Sequence, residues 1–185
     1  MTGGGRLRRL AGLAPSWTRL AWWGLVSPAL EAGPARVHQA LVLDGSRLLL
    51  AVRADLCGWE LPGGAARPGE SGAEAACREV AEETGLAVEA LRVVGVYRRT
   101  GFRPHTATVH LCRPLAGSLR PSRETPRVAW FPVDALPDTL FPWYRTPVAD
   151  ALAARPEPVS RCERLGLAAV WAGMRIDLRM RLGGP

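Results

Sequence analysis

Lysine and asparagine are both missing from the 185 residues, so all 24 basic side chains are arginine. With abundant Ala, Gly, Pro, Leu and Val, this is the usage that GC-rich codons produce, and it accounts for part of the arginine without invoking function. A net charge of +7 still favours anionic partners, whether phosphorylated metabolites, nucleic acid or anionic membrane surfaces, and charge does not choose among them. Cysteine is scarce: Cys57, Cys77, Cys112 and Cys162 show neither a Cys-x-x-Cys pair, nor a His spacing suited to zinc, nor a disulfide framework. Free thiols in a reducing cytoplasm are the expectation. Long apolar runs are also lacking. The stretch "LAWWGLVSPAL" is broken by Pro28 and falls well short of the roughly 20 residues that span a bilayer. A cleaved signal peptide is the less favoured reading of the basic first thirty residues.

No internal repeat is present, and composition divides the chain into three parts. Residues 1–35 form a basic lead with Trp17, Trp22 and Trp23, in which Leu7, Leu10, Trp17 and Leu20 recur at helical spacing across an interrupting Pro15. Packing on its own domain or across a homodimer is expected for it, with a membrane-surface helix as the alternative. Residues 36–155 form the main domain and 156–185 a C-terminal extension. Two apolar runs around Asp44-Gly45 predict a hairpin. "LRVVGVYRR", "TATVHLCRP" and "RVAWFPV" read as further strands, and a second helix is expected over about Arg145–Ala154. Strands interspersed with helices predict an α/β fold.

Against the basic background, Glu70, Glu74, Glu79, Glu82 and Glu83 crowd into fourteen positions. Ser71 as N-cap, Glu74 three residues on and Gly85 as a stop predict a helix over about Gly72–Thr84. Ala73, Ala76, Cys77 and Val80 give it a packing strip, and Glu79, Glu82 and Glu83 share the adjacent arc. Like charges at i, i+3 and i+4 repel unless neutralised, and in this spacing they can converge on a hard divalent cation. A solvated acidic face is the bland reading of Glu-x-x-Glu-Glu alone.

The surroundings remove the bland reading. Gly64, five residues, Glu70, seven residues, Arg78-Glu79-Val80, one residue, Glu82-Glu83, one residue, Gly85-Leu86 resembles the Nudix hydrolase signature at all nine defined positions over 23 residues. The preceding "WELPG" resembles the usual approach to that box. The resemblance implies an α/β/α sandwich with a mixed β-sheet between helices, and hydrolysis of a nucleoside diphosphate linked to another moiety. It further implies Glu79, Glu82 and Glu83 as ligands of Mg²⁺ or Mn²⁺, the Gly64 carbonyl completing the site, and Arg78 orienting the carboxylates with Glu70 as its partner.

Substrate signals outside the box are weaker. Arg98, Arg99 and Arg103 in "YRRTGFRPH" are phosphate-binding candidates, and Tyr97, Phe102 or Trp59 could stack on a base. Gly101 stands where many ADP-ribose enzymes of the family carry Pro, with Pro104 close by. His38, His105 and His110 lack ligand spacing and are expected to be structural. Two acids compete as general base. Glu82 lies beside the metal site, and Glu124, in the loop "PSRETP", stands where several Nudix enzymes place a catalytic Glu. A small nucleotide substrate is favoured; an RNA 5'-end pyrophosphohydrolase, or a non-catalytic nucleotide-sensing module, are the alternatives. A cytoplasmic protein without a transmembrane segment is expected, with nucleic acid the less favoured partner.

Overall fold

A computed structural model describes residues 17, 18 and 35–183. The expected helices of the lead lie outside the described residues, except that Trp17 and Thr18 are helical. The strands are β1 (Ala35–Asp44), β2 (Arg47–Val52), β3 (Trp59–Glu60), β4 (Gly63–Gly64), β5 (Leu86–Gly101), β6 (His105–Gly117), β7 (Arg127–Pro132) and β8 (Val159–Leu165). The helices are α1 (Gly72–Thr84), α2 (Pro142–Leu152) and α3 (Leu167–Arg181).

The strands form one mixed sheet in the order β3-β2-β1-β6-β5-β8, with β4 also on β1 and β7 also on β2. β1 runs parallel to β6 and β5 parallel to β8, while the other pairings are antiparallel. The expected hairpin is present, with Gly45 and Ser46 as its loop residues and Gly45 at φ +59°, as a first-position glycine in a tight hairpin loop requires.

Alternation along β1 builds both layers. Ala40 and Val42 point to α1 and pack with Ala76 and Val80, whereas Leu41 points the other way, toward Tyr144 and Val148 of α2 and Met180 of α3. Every one of these positions is buried. The sheet therefore lies between α1 and the α2/α3 pair, which is the expected α/β/α sandwich.

α2 begins at Pro142, three residues before the expected start. Proline at the first helical position sacrifices only an N–H that would have no partner there. Pro147 lies inside the same helix and leaves the Trp143 carbonyl without its i+4 donor. Arg99 Nη2 takes that carbonyl instead, at 2.7 Å. The extension is built into the fold, since β8 pairs with β5 from Gly95↔Val159 to Gly101↔Leu165 and α3 follows directly.

Candidate active site

The carboxylate helix has the expected limits. Ser71 Oγ accepts the Glu74 N–H and Glu74 in turn accepts the Ser71 N–H, completing a capping box, and Gly85 closes the helix at φ +79°. These caps aim the last turns of α1 at Gly63 and Gly64, which pair with Gln39 and His38 of β1. Gly64 leaves room for Glu79: a Cβ there would lie 2.4 Å from Glu79 Oε1. Glu83 Oε2 accepts the Gly63 N–H at 3.2 Å.

Arg78 is the hub of the cluster. It donates to Glu70 at 2.8 and 3.0 Å, to Glu79 at 2.8 Å, to Glu82 at 3.2 Å and to the Ala65 carbonyl at 3.0 Å. The Arg78 hydrogen bonds, with the Arg67 N–H, hold the Glu70 carboxyl down at about 2. Arg67 also pairs with Glu82 at 2.9 Å. The expectation that Glu79, Glu82 and Glu83 converge on one point is therefore not met as the side chains stand. Among the described residues no three His, Cys, Asp or Glu side chains come together as metal ligands. The physical reason is that the arginines neutralise Glu79 and Glu82, while Glu83 turns to the Gly63 N–H. The donor types themselves fit a hard divalent cation, with Glu79 beside Gly64, Glu83 at Gly63, and glycine leaving the approach open.

A further carboxylate, Glu60, joins from β3. Burial first, then the charges of Glu60 and Glu79, push Glu83 up to about 8, against the opposing Gly63 hydrogen bond. Burial likewise pushes Glu60 up to about 7, although Arg53 and Tyr144 favour its charged form. Tyr144 Oη donates to Glu60 at 3.1 Å and accepts from Gln39 Nε2 at 3.2 Å. Sequence reasoning passed over Glu60, Arg53, Gln39 and Tyr144; the only signal was Glu60 inside "WELPG".

A cavity of ≈ 400 Å³ opens from Gly63 and Gly64, with Glu60, Phe102, Arg103 and Trp143 in its walls. Of the residues expected to bind substrate, Arg103 and Phe102 reach it. Arg103 does so from a left-handed backbone at φ +50°. Trp59, Arg99 and Arg98 do not line it. Trp59 is a core residue, edge-on to Phe131 and covered by Arg127, because strand alternation turns it inward. Arg99 is buried against Glu163, His105 and the Trp143 carbonyl. Arg98, between inward-facing Tyr97 and Arg99, is exposed. His38 faces His110, while His105 lines the cavity, and burial holds its pKa down at about 4.

Glu124 lies in a loop fastened to the end of α1. Thr125 Oγ1 donates to the Glu83 carbonyl at 2.5 Å, and the Arg120 N–H donates to the Thr84 carbonyl at 2.8 Å. The Glu124 carbonyl accepts the Ala54 N–H at 2.8 Å, and its residue is exposed.

Residues 34–151 match the family model of the NUDIX domain. The chain belongs to the Nudix family. Nudix hydrolases act on phosphoric anhydride bonds, and the box, the sheet and the site geometry of this chain agree with that membership. A MutT-like protein of Streptomyces ambofaciens is 37% identical over 126 residues, 68% of this chain and 80% of its own. The human 8-oxo-dGDP phosphatase NUDT18 is 38% identical over 86 residues, 44% of this chain and 26% of its own. Among solved structures, an ADP-ribose pyrophosphatase from Streptococcus suis superposes with TM-score 0.58 at 28% identity, covering 71% of this chain and all of that one. The match to the Nudix domain stops at residue 151, before β8 and α3. Among the described residues no helix is long and apolar enough to cross a membrane.

Proposed function

We propose that this Nudix chain is a Mg²⁺- or Mn²⁺-dependent pyrophosphohydrolase of a small nucleotide, with nucleoside di- and triphosphates as the favoured substrates. One juxtaposition carries the reading: Glu79 and Glu83 lie against Gly63 and Gly64 at the edge of the aromatic-walled cavity. The likeness to an 8-oxo-dGDP phosphatase over part of its length supports nucleoside phosphates, and the likeness to an ADP-ribose pyrophosphatase over all of its length makes ADP-ribose the next substrate to try.

Glu79, Glu82, Glu83 and the Gly64 carbonyl are the groups that would hold the cation, and Arg78 keeps Glu79 and Glu82 in position from the side. When bound, a divalent cation polarises the diphosphate and lowers the pKa of an attacking water. Arg103 stands at the cavity wall to meet phosphate oxygens, and Phe102 and Trp143 offer faces to a base. Water adds to one phosphorus, the bridging oxygen leaves with the other, and the water proton passes to a carboxylate. Glu124 is the favoured acceptor because its loop is anchored beside Glu83 while its residue stays exposed, whereas Glu82 is engaged by two arginines.

The test is a screen with Mg²⁺ or Mn²⁺ of nucleoside triphosphates, 8-oxo-dGTP and 8-oxo-dGDP, ADP-ribose, nucleotide sugars and 5'-triphosphate RNA, with products identified. Metal-dependent release of a nucleoside monophosphate is expected. Turnover confined to RNA, or binding without turnover of any of them, would overturn the proposal.

A further inference from the structure

We propose that the C-terminal segment 159–181, beyond the residues matched to the Nudix domain, is the wall that sets which base the cavity admits, with Ala169 as the size-determining residue. The inference rests on the reading of the cavity as a nucleotide site. It starts from Leu165 at the end of β8 and Ala169 in the first turn of α3, both of which line the cavity.

The same segment fixes the other walls. Leu165 accepts the Phe102 N–H at 2.9 Å, and a Cβ on Gly101 would lie 2.5 Å from the Leu165 carbonyl oxygen. The turn carrying Phe102, Arg103 and Pro104 is thus seated on β8. Glu163 of β8 accepts from Arg99 Nε at 3.3 Å, and Arg99 holds the Trp143 carbonyl, so the aromatic wall is braced from the extension as well. Asp177, fully buried in α3, accepts the Cys57 N–H at 2.7 Å and Arg181 Nε at 2.9 Å. Arg181 Nη2 also reaches the Asp55 carbonyl at 3.4 Å. These bonds grip the backbone on either side of Leu56, a lining residue, and Asp55 in turn pairs through both oxygens with Arg53, another lining residue.

The chemistry facing this wall suits a planar base. Phe102 is seated on Leu165, and a Cβ on Gly173 of α3 would lie 3.3 Å from the Trp143 ring, so the two aromatic walls stand beside the extension and offer faces to a base. Among the described residues Ala169 is the one residue of α3 that lines the cavity, and enlarging it subtracts volume on the side where α3 packs on Trp143.

The experiment is equilibrium binding by calorimetry with Mg²⁺, using the α,β-imido analogues of dGTP and dCTP and inorganic tripolyphosphate as the baseless probe. In Ala169→Phe, dissociation constants are expected to rise at least about tenfold for the purine analogue, less for the pyrimidine, and less than about twofold for tripolyphosphate. Ala169→Val, which tests the same wall with a smaller change should Ala169→Phe fail to fold, is expected to give an intermediate loss in the same order. Equal losses on all three probes, or no loss on the purine analogue, would overturn the inference. Wild-type binding with the expected selectivity but no turnover in the substrate screen would sink the proposed activity and leave this inference standing. Absence of any base-dependent binding by the wild type would sink the inference.

Discussion

Glu83 concentrates the chemistry of the site into one side chain, since it is buried, faces Gly63, and shares its surroundings with Glu60 and Glu79. Glutamine at this position keeps an oxygen for the Gly63 N–H and removes one of the crowded negative charges. Glu83→Gln is therefore expected to melt no lower than the wild type without metal, yet to lose most metal-dependent turnover; wild-type turnover persisting in excess EDTA would refute the metal assignment. Glu124 carries a separate prediction. Loss of a general base costs about 10² to 10⁴ in kcat with binding largely retained, so Glu124→Gln is expected in that range. A loss of less than about threefold would pass the role to Glu82. At this scale the sequence displayed the box and its hub, because Arg78 and Glu70 meet through a short stretch of chain. It misdirected on Trp59 and Arg99, since an aromatic or arginine on a strand takes its role from the face it points to, and that depends on neighbours distant in sequence.

At the scale of elements, α1 is the most autonomous. Its capping box, buried strip of Ala76 and Val80, and left-handed stop at Gly85 are all local in sequence, so its limits could be read directly. Ser71→Ala is expected to cost about 1 kcal/mol in denaturant unfolding. It would loosen the start of the helix while sparing the Glu79 and Glu83 end. The converse result, lost metal-dependent turnover at unchanged stability, would mean that the cap matters to the site more than to the helix. α2 was harder to read because Pro142 and Pro147 look like breakers. One is harmless at the helix start, and the other is tolerated because Arg99, from β5, takes the freed carbonyl. No window of local sequence contains that compensation.

Across the whole molecule, charge pairs tie the extension to the Nudix domain. Asp150 of α2 pairs with Arg161 of β8 and accepts from Tyr97 of β5 at 3.0 Å. The Arg161 hydrogen bonds, opposed by burial, hold its carboxyl below the usual range. A depressed carboxyl contributes stability that is fully present above its unfolded pKa and lost as pH falls through the folded value. Asp150→Asn is accordingly expected to cost about 2 kcal/mol at neutral pH and to flatten the acid limb of the stability curve. An acid limb identical to the wild type would show that the pair is not the linkage. The lead also joins at this scale, for Trp17 Nε1 donates to Asp177 Oδ2 at 3.1 Å. Deleting residues 1–30 is expected to lower the melting temperature or change the oligomeric mass; unchanged values together with lost liposome binding would favour the membrane-surface alternative.

What the sequence determined by itself was whatever is encoded over short distances: the caps and charge of α1, the β1–β2 hairpin, the strand alternation and the family of the box. Hydrogen bonds between near neighbours and the periodicity of side chains are enough to specify such features. The tertiary structure alone decided the rest. It brought Glu60 and Gln39 to the site from other strands, withdrew Trp59 and Arg99 into the core, and set β8 and α3 around the cavity. Those outcomes depend on which strands pair and which face of each is buried, and pairing partners as far apart as Gly101 and Leu165 leave no trace in the local pattern.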